Sequence, residues 1–216
     1  MSDRRAAFLP GSALGRLLRR PHQACARLVV TGCCALAGLP AAAVEAPDLP
    51  TVASVDLGRY AGTWYEIASL PNRFQKQCVA DTQAHYRQDD GVVRVTNRCR
   101  IADGRVDQAR GRAKVVPGSG NAKLRVSFFW PFYGDYWILA LDPAYSEVLV
   151  GAPDRRYAWV LARRPDLPEP RLQALLQKAQ SLGFDAQAFR RTPQTQPLTP
   201  LDGAPASPDA ASGPGE

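Results

Sequence analysis

From residue 56 to about 164 the chain alternates apolar and polar positions in short runs rich in β-branched and aromatic residues. Turn signals close these runs every eight to twelve residues or so, the pattern of an all-β barrel or sandwich. The runs predict strands over residues 62–69, 79–87, 92–99, 106–116, 123–130, 135–142, 146–152 and 157–163. Several turns are explicit: Asp89-Asp90-Gly91, Pro117-Gly118-Ser119-Gly120, Asp142-Pro143 and Pro153-Asp154. Eight consecutive strands joined by short turns favour an antiparallel up-and-down β-barrel over a Greek-key sandwich.

The period then changes. Leu172, Leu175, Leu176, Ala179 and Leu182 form one apolar stripe at helical spacing, opened by Asp166 and Pro168 and ended by Gly183. Such a stripe needs a surface to cover, and the outer barrel wall supplies one. Flanking text has no such periodicity. Residues 44–55 read as a linker, and residues 192–216, with three acids and no bases among Pro, Ala, Gly, Ser and Thr, read as a disordered tail. The expected domain is residues 56–191.

The net charge of +7 suggests a nucleic-acid or membrane partner until it is located. Six Arg and one Asp lie in residues 1–43, which leaves +2 for the rest. No basic stripe with interleaved aromatics remains, so nucleic acid is not an expected partner. Residues 1–43 read instead as an export signal. Arg16, Arg19, Arg20 and Arg27 precede an apolar run from Leu28 to Leu39, and Ala41-Ala42-Ala43 offers a cleavage site before Val44. The run is too short for a permanent span. The long basic stretch ahead of it points to a start downstream of Met1. Val30-Thr31-Gly32-Cys33 resembles a lipobox, but Arg27 interrupts its apolar stretch, so a lipid anchor at Cys33 stays open. The expected location is the periplasm or the outer membrane.

Of five cysteines, Cys25, Cys33 and Cys34 lie in the signal segment, leaving Cys78 and Cys99 in the mature chain. An even pair suits an oxidising compartment.

The run Asp56-Leu57-Gly58-Arg59-Tyr60-Ala61-Gly62-Thr63-Trp64-Tyr65 carries a G-x-W at the start of the first strand. Asp142 and Tyr145 stand in the turn after the sixth strand, and Arg163 ends the eighth. Together these marks resemble the lipocalins, in particular the bacterial outer-membrane and apolipoprotein D branch, which Trp64-Tyr65-Glu66-Ile67-Ala68, Val126-Ser127-Phe128-Phe129 and Trp159-Val160-Leu161 also resemble. The resemblance implies a closed barrel that holds a lipid.

Strand polarity then assigns two ends. Trp64, Asp142 and Arg163 fall at one end, where Arg163 is expected over the indole as a plug. Gly62, Trp64, Asp142, Tyr145 and Arg163 are thus structural marks. Cys78 and Cys99 fall at the other, open end, where neighbouring strands allow a disulfide. Two cysteines without flanking His make a poor zinc site, so no metal and no cofactor is expected.

The open end is expected to bind the ligand. The loop from Leu70 to Gln77 is long enough for a lid and carries Arg73, Phe74 and Lys76, whose cations could meet an anionic head group. Counting inward from Trp64 gives Glu66 and Ala68, and counting back from Arg163 gives Trp159 and Tyr157. Tyr86, Phe128, Trp130, Tyr133, Tyr136 and Ile138 complete the expected wall and mouth. Glu66 needs a partner or water there, because a lone buried carboxylate is costly.

The expected ligand is a fatty acid, a lysophospholipid or a similar amphiphile, carried by a monomer or homodimer in contact with the outer membrane. Two other readings stand beside it. His85, the one mature histidine, could serve a tetrapyrrole or haem carrier. A lipocalin-like lipid-modifying enzyme would need a nucleophile–base pair, which the sequence does not offer, so no catalytic residue is expected.

Overall fold

The computed structural model describes residues 48–202. The segment read as an export signal, with Cys33, and the last fourteen residues lie outside them.

Eight strands appear where the alternation places them: β1 Gly62–Ser69, β2 Cys78–Asp89, β3 Val92–Ile101, β4 Val106–Val115, β5 Lys123–Phe129, β6 Phe132–Leu141, β7 Glu147–Gly151 and β8 Ala158–Ala162. Each pairs antiparallel with the next, and β1 pairs with both β8 and β2, which closes the barrel. The inward positions of this sheet form one core, including Trp64, Tyr86, Val95, Leu124, Ile138, Val150 and Leu161.

A second core lies outside the barrel. Helix α2, Glu169–Ser181, buries Leu172, Leu175 and Ala179 against Tyr65, Ile67, Leu149 and Val160. Asp166 does not cap this helix. Pro168 occupies that position with no side-chain bond, and Asp166 pairs with Arg164 at 2.9 Å. Arg171 pins the helix to the barrel through Glu147 at 2.6 Å and Asp142 at 3.1 Å.

Over their described residues, 48–55 and 192–202, both segments flanking the expected domain are more ordered than their composition suggests. In the segment read as a linker, Leu49 and Val55 are buried. The Val52 amide donates to the Ile138 carbonyl, and the Val55 amide to that of Gly120. Gly120 has φ +59°, and a Cβ there would fall 2.2 Å from the Ala53 carbonyl oxygen, so only glycine admits this strand of chain. A short helix α1, Leu57–Tyr60, follows, capped by the Asp56 carboxylate at 2.8 Å from the Gly58 amide.

The expected disordered tail is corrected over residues 192–202. After a two-residue strand β9, Arg190–Arg191, the chain runs along the seam where β1 and β2 part. β1 pairs with β2 only from Gly62 to Tyr65. Beyond that point Ala68 and Ser69 pair with β9 instead. Gln194 staples the seam by donating to the carbonyls of Glu66 and Thr82 at 2.9 and 3.0 Å. Asp81, fully buried, accepts from Arg100 at 2.7 Å and from the Gln196 amide at 3.0 Å. Leu198 is buried and its carbonyl accepts from Gln83. Polar bonds to backbone hold this strap, which is why its composition conceals it.

No helix among the described residues is long and apolar enough to cross a membrane.

Candidate ligand site

The closed end is built around one aromatic–cation stack. Trp64 is fully buried and donates from its indole nitrogen to the Tyr60 carbonyl at 2.8 Å. The Arg163 guanidinium lies 4.0 Å above its ring. Arg163 also donates to the carbonyls of Arg59, Ala61, Thr63 and Tyr145, so the cation binds the entry helix, β1 and the β6–β7 turn at once. Burial lowers its proton affinity from the usual guanidinium value. Tyr145, at φ +59°, accepts from the Asp56 amide. Asp142 accepts from Ser146 and from the Ala144 amide, and the Ser146 bond leads the causes that hold its carboxyl below the usual value. Gly62 adopts φ +93° where the chain turns into β1.

Above this plug three tyrosines form a floor. The Tyr136 hydroxyl lies 2.8 Å from that of Tyr60 and 2.9 Å from that of Tyr86. Burial raises all three pKa values, Tyr86 to about 12 and the others well above the usual phenol value. Three hydroxyl protons serve two internal bonds, so one donor remains for a water or a ligand oxygen. The space left among Tyr60, Tyr86, Tyr136 and Val93 is about 10 Å³, room for one water.

Beyond the floor the lumen opens. Register places Asn97, Ala109, Gly111 and Gly134 inward, opposite Ala84, Asn97, Val95 and Val126. Ala109 and Gly134 are nevertheless exposed. A Cβ on Gly134 would meet nothing within 4 Å. Solvent therefore reaches the barrel interior on this side. The Phe128 ring lies against Gly111, and the Asn97 Oδ1 atom is buried without a partner.

The opposite side of the mouth is covered. Glu66, 5% exposed, faces inward opposite Leu161 and accepts from three neutral donors. These are Ser69 at 2.9 Å, Gln75 at 2.6 Å and Thr192 at 2.6 Å. Gln75 also accepts from the Trp159 indole at 2.9 Å. The 70–77 loop is thus latched onto the mouth. Phe74 sits 5.5 Å from Tyr157, which stacks on Trp159 at 6.3 Å. Cys78 and Cys99 form a disulfide beside this loop, with Cα atoms 5.5 Å apart.

Of the expected wall residues, Glu66, Tyr86, Phe128, Tyr136, Ile138 and Trp159 face the interior, with Tyr157 and Phe74 at the rim. Three placements are corrected. Ala68 lies on the outer face, packed in the helix-side core, because a bulge between Glu66 and Ala68 shifts the parity of β1. Tyr133 also faces outward, under the Arg125 guanidinium at 5.4 Å. Trp130 lies in the tight turn between Phe129 and Phe132, and all three rings project into solvent at 75–79% exposure. Asn97, Gln75 and Gly134 were not anticipated. Continuing the inward parity of Val93 and Val95 would have found Asn97.

His85 lies next to inward-facing Ala84 and Tyr86 and therefore faces out, its Nδ1 3.2 Å from Thr63 Oγ1. It cannot ligate an iron inside the barrel, which removes the basis of the tetrapyrrole reading. Its hydroxyl partner lies on the barrel exterior, away from the lumen. Among the described residues no group of three His, Cys, Asp or Glu could hold a metal ion.

The lipocalin-like domain family matches residues 55–194. The chain belongs to the lipocalin family. It is 38% identical to temperature-induced lipocalin-1 of Arabidopsis thaliana over 70% of this chain and 86% of that one. It is also 38% identical to the outer membrane lipoprotein Blc of Escherichia coli K12, over 76% and 95%. Apolipoprotein D of Macaca fascicularis is 35% identical over 67% and 80%. Insecticyanin of the tobacco hornworm Manduca sexta shares the fold with a TM-score of 0.58 at 23% identity, covering 69% of this chain and 86% of that one. Membership implies a barrel that encloses a small hydrophobic ligand.

Proposed function

We propose that this lipocalin carries a single-chain amphiphile, a fatty acid or lysophospholipid, with its tail in the lumen and its head at the mouth. The observation that carries the reading is the open half of the barrel. Inward-facing Gly134 has empty space before it, Phe128 and Trp159 give apolar walls, and the tyrosine floor sets a depth limit. Each methylene buried there contributes about 0.8 kcal/mol, so tail length governs affinity. The unpartnered Asn97 oxygen suits a hydroxyl on the ligand or a bridging water. No reaction is proposed.

The exposed Phe129-Trp130-Pro131-Phe132 tip, at the same end as the mouth, supports delivery at a bilayer surface. Relatives named as outer membrane lipoproteins favour an exported, envelope location. Native mass spectrometry of protein purified from its own host tests the carrier reading. An adduct with the mass of an acyl lipid is expected. A bare chain after gentle ionisation, with no gain on adding lipid, counts against it.

A further inference from the structure

Because β1 and β2 separate above Tyr65, a cleft of about 560 Å³ opens between the lid, the top of β2 and the strap. Its walls carry four cations, Arg73 and Lys76 from the lid and Arg190 and Arg191 from the strap. Its floor reaches Glu66 and Ser69. Glu66 is the one carboxylate in the lining, and Ser69, Gln75 and Thr192 donate to its oxygens. Arg191 pairs with Glu169. Among the described residues no carboxylate lies within ion-pair distance of Arg73, Lys76 or Arg190. Three cations without an ion-pair partner line one concave space whose one carboxylate, Glu66, is already held by three neutral donors, and their summed field favours an anion there. Glu66 and Ser69 face the interior, so an anion here sits beside the lumen rather than over its axis.

Resting on the carrier reading, we infer that this lateral cleft is a phosphate head-group site: it takes the phosphate monoester of a single-chain glycerolipid whose tail lies in the lumen. Arg190 and Arg73 supply charge from two elements, β9 and the lid. The strap, which closes the seam, thereby becomes part of the binding site, and the ligand in turn holds the strap and lid together.

The test titrates the mature protein with palmitoyl lysophosphatidic acid and with uncharged palmitoylglycerol, both below their aggregation limits. The amides of Gln75 and Thr192 are followed by NMR, with glycerol 3-phosphate as a third probe. Arg73 and Arg190 are exposed, so Arg73→Ala/Arg190→Ala is expected to fold. Lysophosphatidic acid should bind about tenfold more tightly than palmitoylglycerol, and the variant should lose that preference while palmitoylglycerol binding holds. Equal binding of the two lipids, or a preference that survives in the variant, overturns the head-group site and leaves the carrier reading standing. Binding of glycerol 3-phosphate as tight as that of the acylated lipid overturns the lipid assignment in favour of a free-phosphate site. If neither lipid binds, the carrier reading fails, and the head-group assignment with it.

Discussion

Glu66 accepts a 2.6 Å hydrogen bond from Gln75, and this contact ties the lid loop to the barrel wall. Gln75 spans to the Trp159 indole with its other amide atom, so the carboxylate, the lid and the aromatic wall form one unit. Replacing Glu66 with Ala removes the acceptor for Ser69, Gln75 and Thr192 together. Leaving buried donors unpaired costs about 1–3 kcal/mol each at most, and relaxation of the lid will recover part of that. Hydrogen exchange of residues 70–77 in Glu66→Ala should be much faster than in the wild type, with β4 and β5 little changed. Unaltered lid exchange would show that the latch does not hold the loop.

The disulfide gives a second expectation. It joins residues 21 apart, a closure worth about 3 kcal/mol in the chain-entropy model. Thiol titration of the denatured, unreduced mature protein should find none free, and reduction should lower the denaturant midpoint. Two titratable thiols would contradict the pairing.

At the closed end, Trp64→Ala empties the space beneath Arg163 and leaves the Tyr60 carbonyl without its indole donor. Loss of a buried Trp costs about 3–5 kcal/mol. Urea unfolding should show a drop of that order. A melting curve like that of the wild type would mean that Trp64 does not hold this end together.

The tyrosine floor makes the barrel sensitive to alkali. A phenol whose folded pKa lies above its unfolded value near 10 stabilises the fold below pH 10, and loses that contribution as pH rises through the folded value. For Tyr86 that window runs from about 10 to about 12, and Tyr60 and Tyr136, also raised by burial, act in the same direction. Stability should therefore fall above pH 10, and phenolate absorbance from these three should appear with unfolding. Reversible ionisation of all seven tyrosines near pH 10 in the folded state would refute the closed floor.

Strand count, strand polarity, the outer helix and the disulfide were legible because each rests on a period or a parity that the residues state directly. β8 carries no bulge, so counting back from Arg163 reached Trp159 and Tyr157 correctly. β1 carries one, and a single extra residue put Ala68 on the wrong face. A bulge leaves no mark in composition. Mouth aromatics misled for another reason: the turn between Phe129 and Phe132 is so short that Trp130 has no path back to the lumen. The strap was hidden because its attachment to Glu66, Asp81 and Gln83 runs through hydrogen bonds at long sequence separation, with Leu198 as its one buried apolar anchor.

An acyl tail carried in the lumen would reach down to the tyrosine floor. Titration of tryptophan fluorescence with saturated fatty acids of increasing length tests it most directly, since Trp159 lies in the wall. Affinity should climb by severalfold for each added methylene, following about 0.8 kcal/mol of burial, and then level off when the tail reaches Tyr136. Affinity that is flat with length, or no binding at any length, would contradict a lipid-carrying barrel.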